Sequence, residues 1–96
     1  MEFGITFKGF VSPNRARNLV RQAEEAGFTQ CWFYDSHILW RESMVAMAMC
    51  MEHTTKMKFA PCVTSPDVRD WSHAASTFGS LALQSEGRFE IGLGRG

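Results

Sequence analysis

The chain has 96 residues, 45% of them hydrophobic and 21% charged, with ten basic side chains balancing ten acidic ones. That is room for one small core and too apolar for a disordered chain; it offers neither the basic surface of a nucleic-acid binder nor an acidic tail. No apolar run approaches the roughly 18 residues of a membrane span, and Met1 to Phe7 lacks the basic flank and long apolar stretch of a secretory signal, so a soluble, cytoplasmic protein that meets neither nucleic acid nor membrane is expected.

Phe3 to Phe7 is the first of four short apolar runs that read as strands. Ser12 then caps a helix with Pro13 at its first position. Ala16, Leu19, Val20 and Ala23 follow at helical spacing, and Gly27 stops it. Gln30 to Tyr34 is the second strand. The helix after it, from about Glu42 to His53, is apolar nearly all round through Met44, Val45, Met47, Ala48 and Met51, which predicts deep burial. Met57 to Val63 is the third strand. A third helix over Trp71 to Gln84 is capped by Asp70 and turns Ala74, Phe78, Leu81 and Ala82 to one side, with Gly87 just past its end. Arg88 to Leu93 is the fourth strand. The three cysteines, Cys31, Cys50 and Cys62, lie among apolar residues without CxxC spacing and read as small core side chains.

The predicted order is β-α-β-α-β-α-β, an α/β chain whose strands begin at intervals of about 30 residues, the length of a βαβ unit. The strands do not alternate polar and apolar, as suits a parallel sheet covered on both faces. An open doubly wound sheet and an arc of a (β/α)8 barrel both satisfy this pattern.

Both architectures collect function where parallel strands end. After the first strand, Lys8-Gly9-Phe10 says little, and Lys8 reads as a solvated loop charge. After the second comes Asp35-Ser36-His37. A carboxylate two residues from an imidazole can orient the ring, relay a proton or bind a polar cofactor edge; it can equally form a turn in which Asp35 accepts from local amides. After the third comes Thr64 to Asp70, a loop leading into a helix, in which Arg69 either meets an anionic group or pairs with Asp67 or Asp70, the simpler expectation. After the fourth, Gly92-Leu93-Gly94-Arg95-Gly96 allows close approach of backbone to a ligand, but lacks the third glycine and helix of a dinucleotide fingerprint. His37, His53 and His73 share no ligand spacing, so no metal site is expected, and His53 suits a helix C-terminus as a cation.

Together these segments resemble the luciferase-like monooxygenase superfamily, above all its branch using deazaflavin F420. Cys31-Trp32-Phe33-Tyr34-Asp35-Ser36-His37 is similar to that family's strand ending in aspartate and histidine. Cys62 to Asp70 resembles a Gly-Val-Thr-Asn-Pro pattern followed by Tyr-Thr-Arg, with Cys62 in place of the usual glycine, Ser65 in place of asparagine and Trp71 in place of a common proline. Glu86 to Gly96 resembles the family's Gly-Arg turn and glycine-ended fourth strand. The resemblance implies the N-terminal half of a TIM (β/α)8 barrel, with residues 1–96 forming one partial domain. It also implies an oxidoreductase using F420 or FMN, which passes a hydride or oxygenates a small organic substrate with reduced FMN. By position it makes Asp35 and His37 catalytic, places Cys62, Val63, Thr64 and Ser65 against the cofactor, leaves room for it at Gly92 and Gly94, and puts a non-proline cis peptide at Cys62-Val63.

A whole barrel takes about 250 residues. The chain is therefore expected to be the N-terminal fragment of such an enzyme and inactive alone. The rival expectation is a half-barrel module that binds no cofactor. Open sheet edges invite pairing, so the isolated chain is expected to form a homo-oligomer, to aggregate or to be marginally stable.

Overall fold

The computed structural model describes residues 1–7 and 12–95. Lys8, Gly9, Phe10 and Gly96 lie outside the described residues. The elements are β1 (Gly4–Phe7), α1 (Pro13–Glu25), β2 (Gln30–Phe33), α2 (Ser43–Met51), β3 (Lys58–Pro61) and α3 (Trp71–Gln84). Each helix begins where its cap residue can serve the free amides of the first turn. Ser12 Oγ accepts from the Arg15 N–H, Glu42 Oε2 from Val45 and Asp70 Oδ1 from Ser72. Past α1 the chain turns at Gly27, whose φ of 99° is costly for a side-chain-bearing residue.

The strands lie in the order β1-β2-β3, all parallel, with Ile5 beside Cys31 beside Phe59, and Phe7 beside Phe33 beside Pro61. These residues point to the helices. Cys31, Phe33, Phe59 and Phe89 are buried there with Ala16, Val20, Met44, Met47, Cys50, Met51, Met57 and Leu81. α2 is covered as its composition predicts, although Val45 remains exposed. Burial pushes the thiols of Cys31 and Cys50 up, Cys50 to about 11. The opposite face of the sheet carries Thr6, Gln30, Trp32 and the Lys58–Glu90 ion pair, with N to O at 3.5 Å. The Trp32 indole lies so close over Gly4 that a Cβ there would collide with it.

The fourth apolar run departs from expectation. It meets β3 at two separate bridges, Phe59 with Phe89 and Thr64 with Leu93, both parallel. The β3 side has one residue more than its partner between those bridges, which is a β-bulge. The ladder resumes across it: Thr64 N–H donates to Gly92 O at 2.8 Å and Gly94 N–H to Thr64 O at 3.0 Å. The Cys62–Val63 peptide lies inside the bulge and is cis, where the resemblance put it. Cys62 is exposed there, which corrects its reading as a core side chain: it sits where the chain leaves the sheet, while Cys31 and Cys50 lie under the helices.

Two polar side chains lock this end-to-end arrangement. Glu24, at the end of α1, accepts from the N–H groups of Thr55, Lys56 and Met57, at 3.0, 2.8 and 2.6 Å, and so holds the entry to β3. Burial alone would raise its pKa, but those amides outweigh it and hold the carboxyl below its ordinary value. Arg88 donates to the carbonyls of Met51, Met57 and Ser85 and to Thr54 Oγ1, all within 2.9–3.1 Å. It thereby satisfies the end of α2. Arg88→Met keeps the stem and removes those donors. It is expected to cost about 2–4 kcal/mol in urea unfolding; an unchanged midpoint would show that these carbonyls need no partner.

Candidate functional site

The exits of β2 and β3 are tied together by one carboxylate. Asp35 follows β2 by two residues, and its side chain is only 2% exposed. Its Oδ1 accepts from Ser43 Oγ at 2.8 Å and Arg69 Nη2 at 3.2 Å. Its Oδ2 accepts from Thr64 Oγ1 at 2.6 Å and Arg69 Nη1 at 2.6 Å. An ionised carboxylate has about four acceptor sites, so this one is full. Arg69 also donates from Nη1 to Thr64 Oγ1 at 3.0 Å and from Nη2 to Glu42 Oε1.

Burial would raise the pKa of Asp35, but the hydrogen bonds from Arg69, Thr64 and Ser43, with the Arg69 charge, bring it down from 3.8 to about 2. The same bonds to Asp35 push the Arg69 guanidinium further up. Asp35 is therefore a permanent anion at neutral pH, fitted to hold its neighbours and not to exchange protons.

This geometry differs from both sequence-based readings of Asp35, since its partners are neither His37 nor local amides. It also corrects the expectation for Arg69, which pairs with Asp35 and Glu42 and not with Asp67 or Asp70. Asp70 instead caps α3. His37 is exposed, in a turn where Ser36 O accepts from the N–H groups of Leu39 and Trp40 at 3.0 and 2.8 Å.

Thr64 is buried with its hydroxyl engaged as above, and Ser65 Oγ accepts from the Asp67 N–H at 3.3 Å, an ST turn. Cys62 and Val63 are exposed at the strand end. A Cβ on Gly92 would collide with the Pro61 carbonyl oxygen, and one on Gly94 would lie 2.6 Å from Val63 Cγ2. The two glycines thus give room to the β3 bulge itself. Ser43 and Glu42 complete the cluster; Glu42 showed in the sequence only as a helix start.

Beside the cluster, an apolar cleft of about 290 Å³ opens between α3 and the fourth run, lined by Thr64, Ser65, Arg69, Trp71, Phe78 and Leu93 among others. A roomier groove, about 430 Å³, lies between α1 and α2 along Pro13, Ala16, Val45 and Met49. It contains none of the residues singled out at the strand ends.

The depressed pKa of Asp35 makes its bonds a source of stability that is complete above the ordinary carboxyl value of 3.8 and is lost as pH falls through about 2. A shift of that size corresponds to roughly 2 kcal/mol. Unfolding free energy measured between pH 5 and pH 2 is expected to fall by that order more in the wild type than in Asp35→Asn. Parallel curves would show that Asp35 titrates as if free.

The family model for luciferase-like monooxygenases matches residues 1–96. The 5,10-methylenetetrahydromethanopterin reductase of Methanopyrus kandleri is 31% identical over all 96 residues, and that of Methanolobus tindarius 32%. The chain spans 27% and 29% of the length of those two proteins. Among solved structures, the coenzyme F420-dependent tetrahydromethanopterin reductase from Methanopyrus kandleri superposes with a TM-score of 0.92 at 30% identity, over 99% of this chain and 27% of that one. The oxygenating constituent of 3,6-diketocamphane monooxygenase from Pseudomonas putida, a type II Baeyer–Villiger enzyme in complex with FMN, superposes at 0.88 over 100% of this chain and 30% of that one. At 21% identity it speaks for the fold alone. The parallel strands, the three helices and their order are those of the opening βα units of a (β/α)8 barrel, and this chain belongs to the luciferase-like monooxygenase family.

Proposed function

We propose that this chain forms part of the cofactor mouth of an oxidoreductase that uses F420 or FMN, with F420 favoured. The observation that carries the reading is the exposed Cys62–Val63 bulge where β3 ends, in a chain matched over its whole length by the family. F420 is favoured because the reductase relatives keep 31% and 32% identity over every residue, whereas the FMN-bound structure keeps 21%.

The residues present fit a flat ring in one respect and not in another. Val63 and Cys62 offer an exposed, largely apolar contact beside the strand ends. The acceptor sites of Asp35 are taken up by Arg69, Thr64 and Ser43, and the one hydroxyl proton of Thr64 is given to Asp35, so neither has a proton to donate to a cofactor. When bound, F420 or FMN supplies the hydride, or in reduced FMN the activation of oxygen. Val63 and Cys62 would hold the ring through apolar contact and help exclude water. Asp35, Thr64 and Arg69 hold the two strand exits in register. His37, exposed on the β2–α2 connection, is the group left to hold or move a proton near a small organic substrate.

Titration with F420 and with FMN, followed by cofactor fluorescence, tests this. F420 is expected to bind more tightly, and Val63→Asp to weaken it about tenfold or more, since a carboxylate would be desolvated against the ring. A folded chain that binds neither cofactor would overturn the reading. A second reading, a module that self-associates without cofactor, is supported by the position of β1 at the sheet edge. Concentration-dependent sedimentation together with failed cofactor binding would select it.

A further inference from the structure

One guanidinium closes the segment that carries His37. Arg69 grips Asp35, immediately before residues 36–41, and Glu42, immediately after them. Ser43 Oγ ties the far end to Asp35 a second time. Within the segment the turn on Ser36 O keeps the backbone folded, and His37, Ile38 and Leu39 face outward, the last two 86% and 71% exposed. Exposed apolar residues in a short loop do not hold its shape. Its two flanking carboxylates would repel each other without a cation between them. The cation comes from the β3–α3 connection, so the next βα unit along the chain fixes this loop.

Arg69 also lines the apolar cleft, where an unpaired arginine would attract an anion. It is not unpaired. A guanidinium has five N–H donors. Here both Nη1 and Nη2 make two bonds each, to two carboxylates and a hydroxyl. With Asp35 and Glu42 against one cation, the cluster carries surplus negative charge, which disfavours an incoming phosphate or carboxylate.

We propose that Arg69 is a positioning residue: it acts through Asp35 and Glu42 to hold residues 36–41, and with them His37, over the strand ends, and it does not bind an anionic ligand. The functional part of this rests on the reading of the strand ends as a cofactor mouth. The loop-holding part does not.

Amide hydrogen exchange on the 96-residue chain tests it, comparing wild type with Arg69→Met and Arg69→Lys. Exchange across 36–41 is expected to quicken about tenfold in Arg69→Met, with α1 and α3 unchanged, and less in Arg69→Lys, whose point charge cannot bridge both carboxylates in two-pronged fashion. The His37 ring signals in NMR are expected to move in the same order, and F420 affinity to fall in that order. Inorganic phosphate is expected to leave the Arg69 signals unmoved. Unchanged exchange in a folded Arg69→Met, or saturable phosphate binding at Arg69, would overturn the proposal. If Arg69→Met does not fold, Glu42→Gln, at a half-exposed position, carries the same exchange test, and an unquickened loop there overturns it. If wild type binds no F420 or FMN, the cofactor reading falls, while the exchange result still decides the role of Arg69.

Discussion

The ion pair between Asp35 and Arg69 is the interaction on which the functional end of the molecule depends. A buried carboxylate is expensive to desolvate, and attraction to one cation does not by itself repay that cost. What makes it tenable is completeness: both oxygens are filled, by a guanidinium and by two hydroxyls from different elements. Each partner brings its own piece of chain. Ser43 brings the first turn of α2, Thr64 the resumed end of β3, and Arg69 the approach to α3. Three connections that are distant in sequence are thereby fixed relative to one another at the ends of two neighbouring strands.

The second constraint is the bulge in β3. One extra residue between the two bridges takes Cys62 and Val63 out of the pairing with the fourth run, although the Cys62 N–H still donates to Phe33 O of β2 at 2.8 Å, and returns Thr64 to that pairing. That return puts the Thr64 hydroxyl within reach of Asp35. The partner strand accommodates the bulge by giving up side chains at Gly92 and Gly94, where the Pro61 carbonyl and the Val63 side chain take the space. Ion pair and bulge are thus one arrangement: the bulge presents an apolar contact outward and delivers a polar group inward.

Much of the fold was legible in the sequence, because it rests on local signals. Capping residues at Ser12 and Asp70, the stop at Gly27 and the even spacing of apolar runs gave three helices and parallel strands with ends displaced by a residue or two. The fourth run was harder. Its composition is that of a strand, but pairing depends on its neighbour, and a bulge in β3 leaves no mark on the composition of Arg88 to Leu93. The site was legible as places and not as roles. Asp35 and Thr64 lie just past the ends of β2 and β3, and the Cys62–Val63 peptide is cis as the resemblance implied. The partnership of Asp35 with Arg69 spans 34 residues, and neither spacing nor charge pattern points across that distance. Asp67 and Asp70 were nearer in sequence and therefore the wrong expectation. Ser43 and Glu42 read only as part of a helix start.

A single quantity expresses whether Asp35 and Arg69 act as one unit. A double-mutant cycle with Asp35→Asn, Arg69→Met and the pair together, followed by urea unfolding at neutral pH, isolates their coupling from the separate cost of each change. The expected coupling is about 1.5 kcal/mol or more, with the double variant more stable than the sum of the single losses implies, because removing both partners leaves no buried charge alone. Additive losses would contradict the account, since Asp35 and Arg69 would then stabilise the strand exits independently of each other.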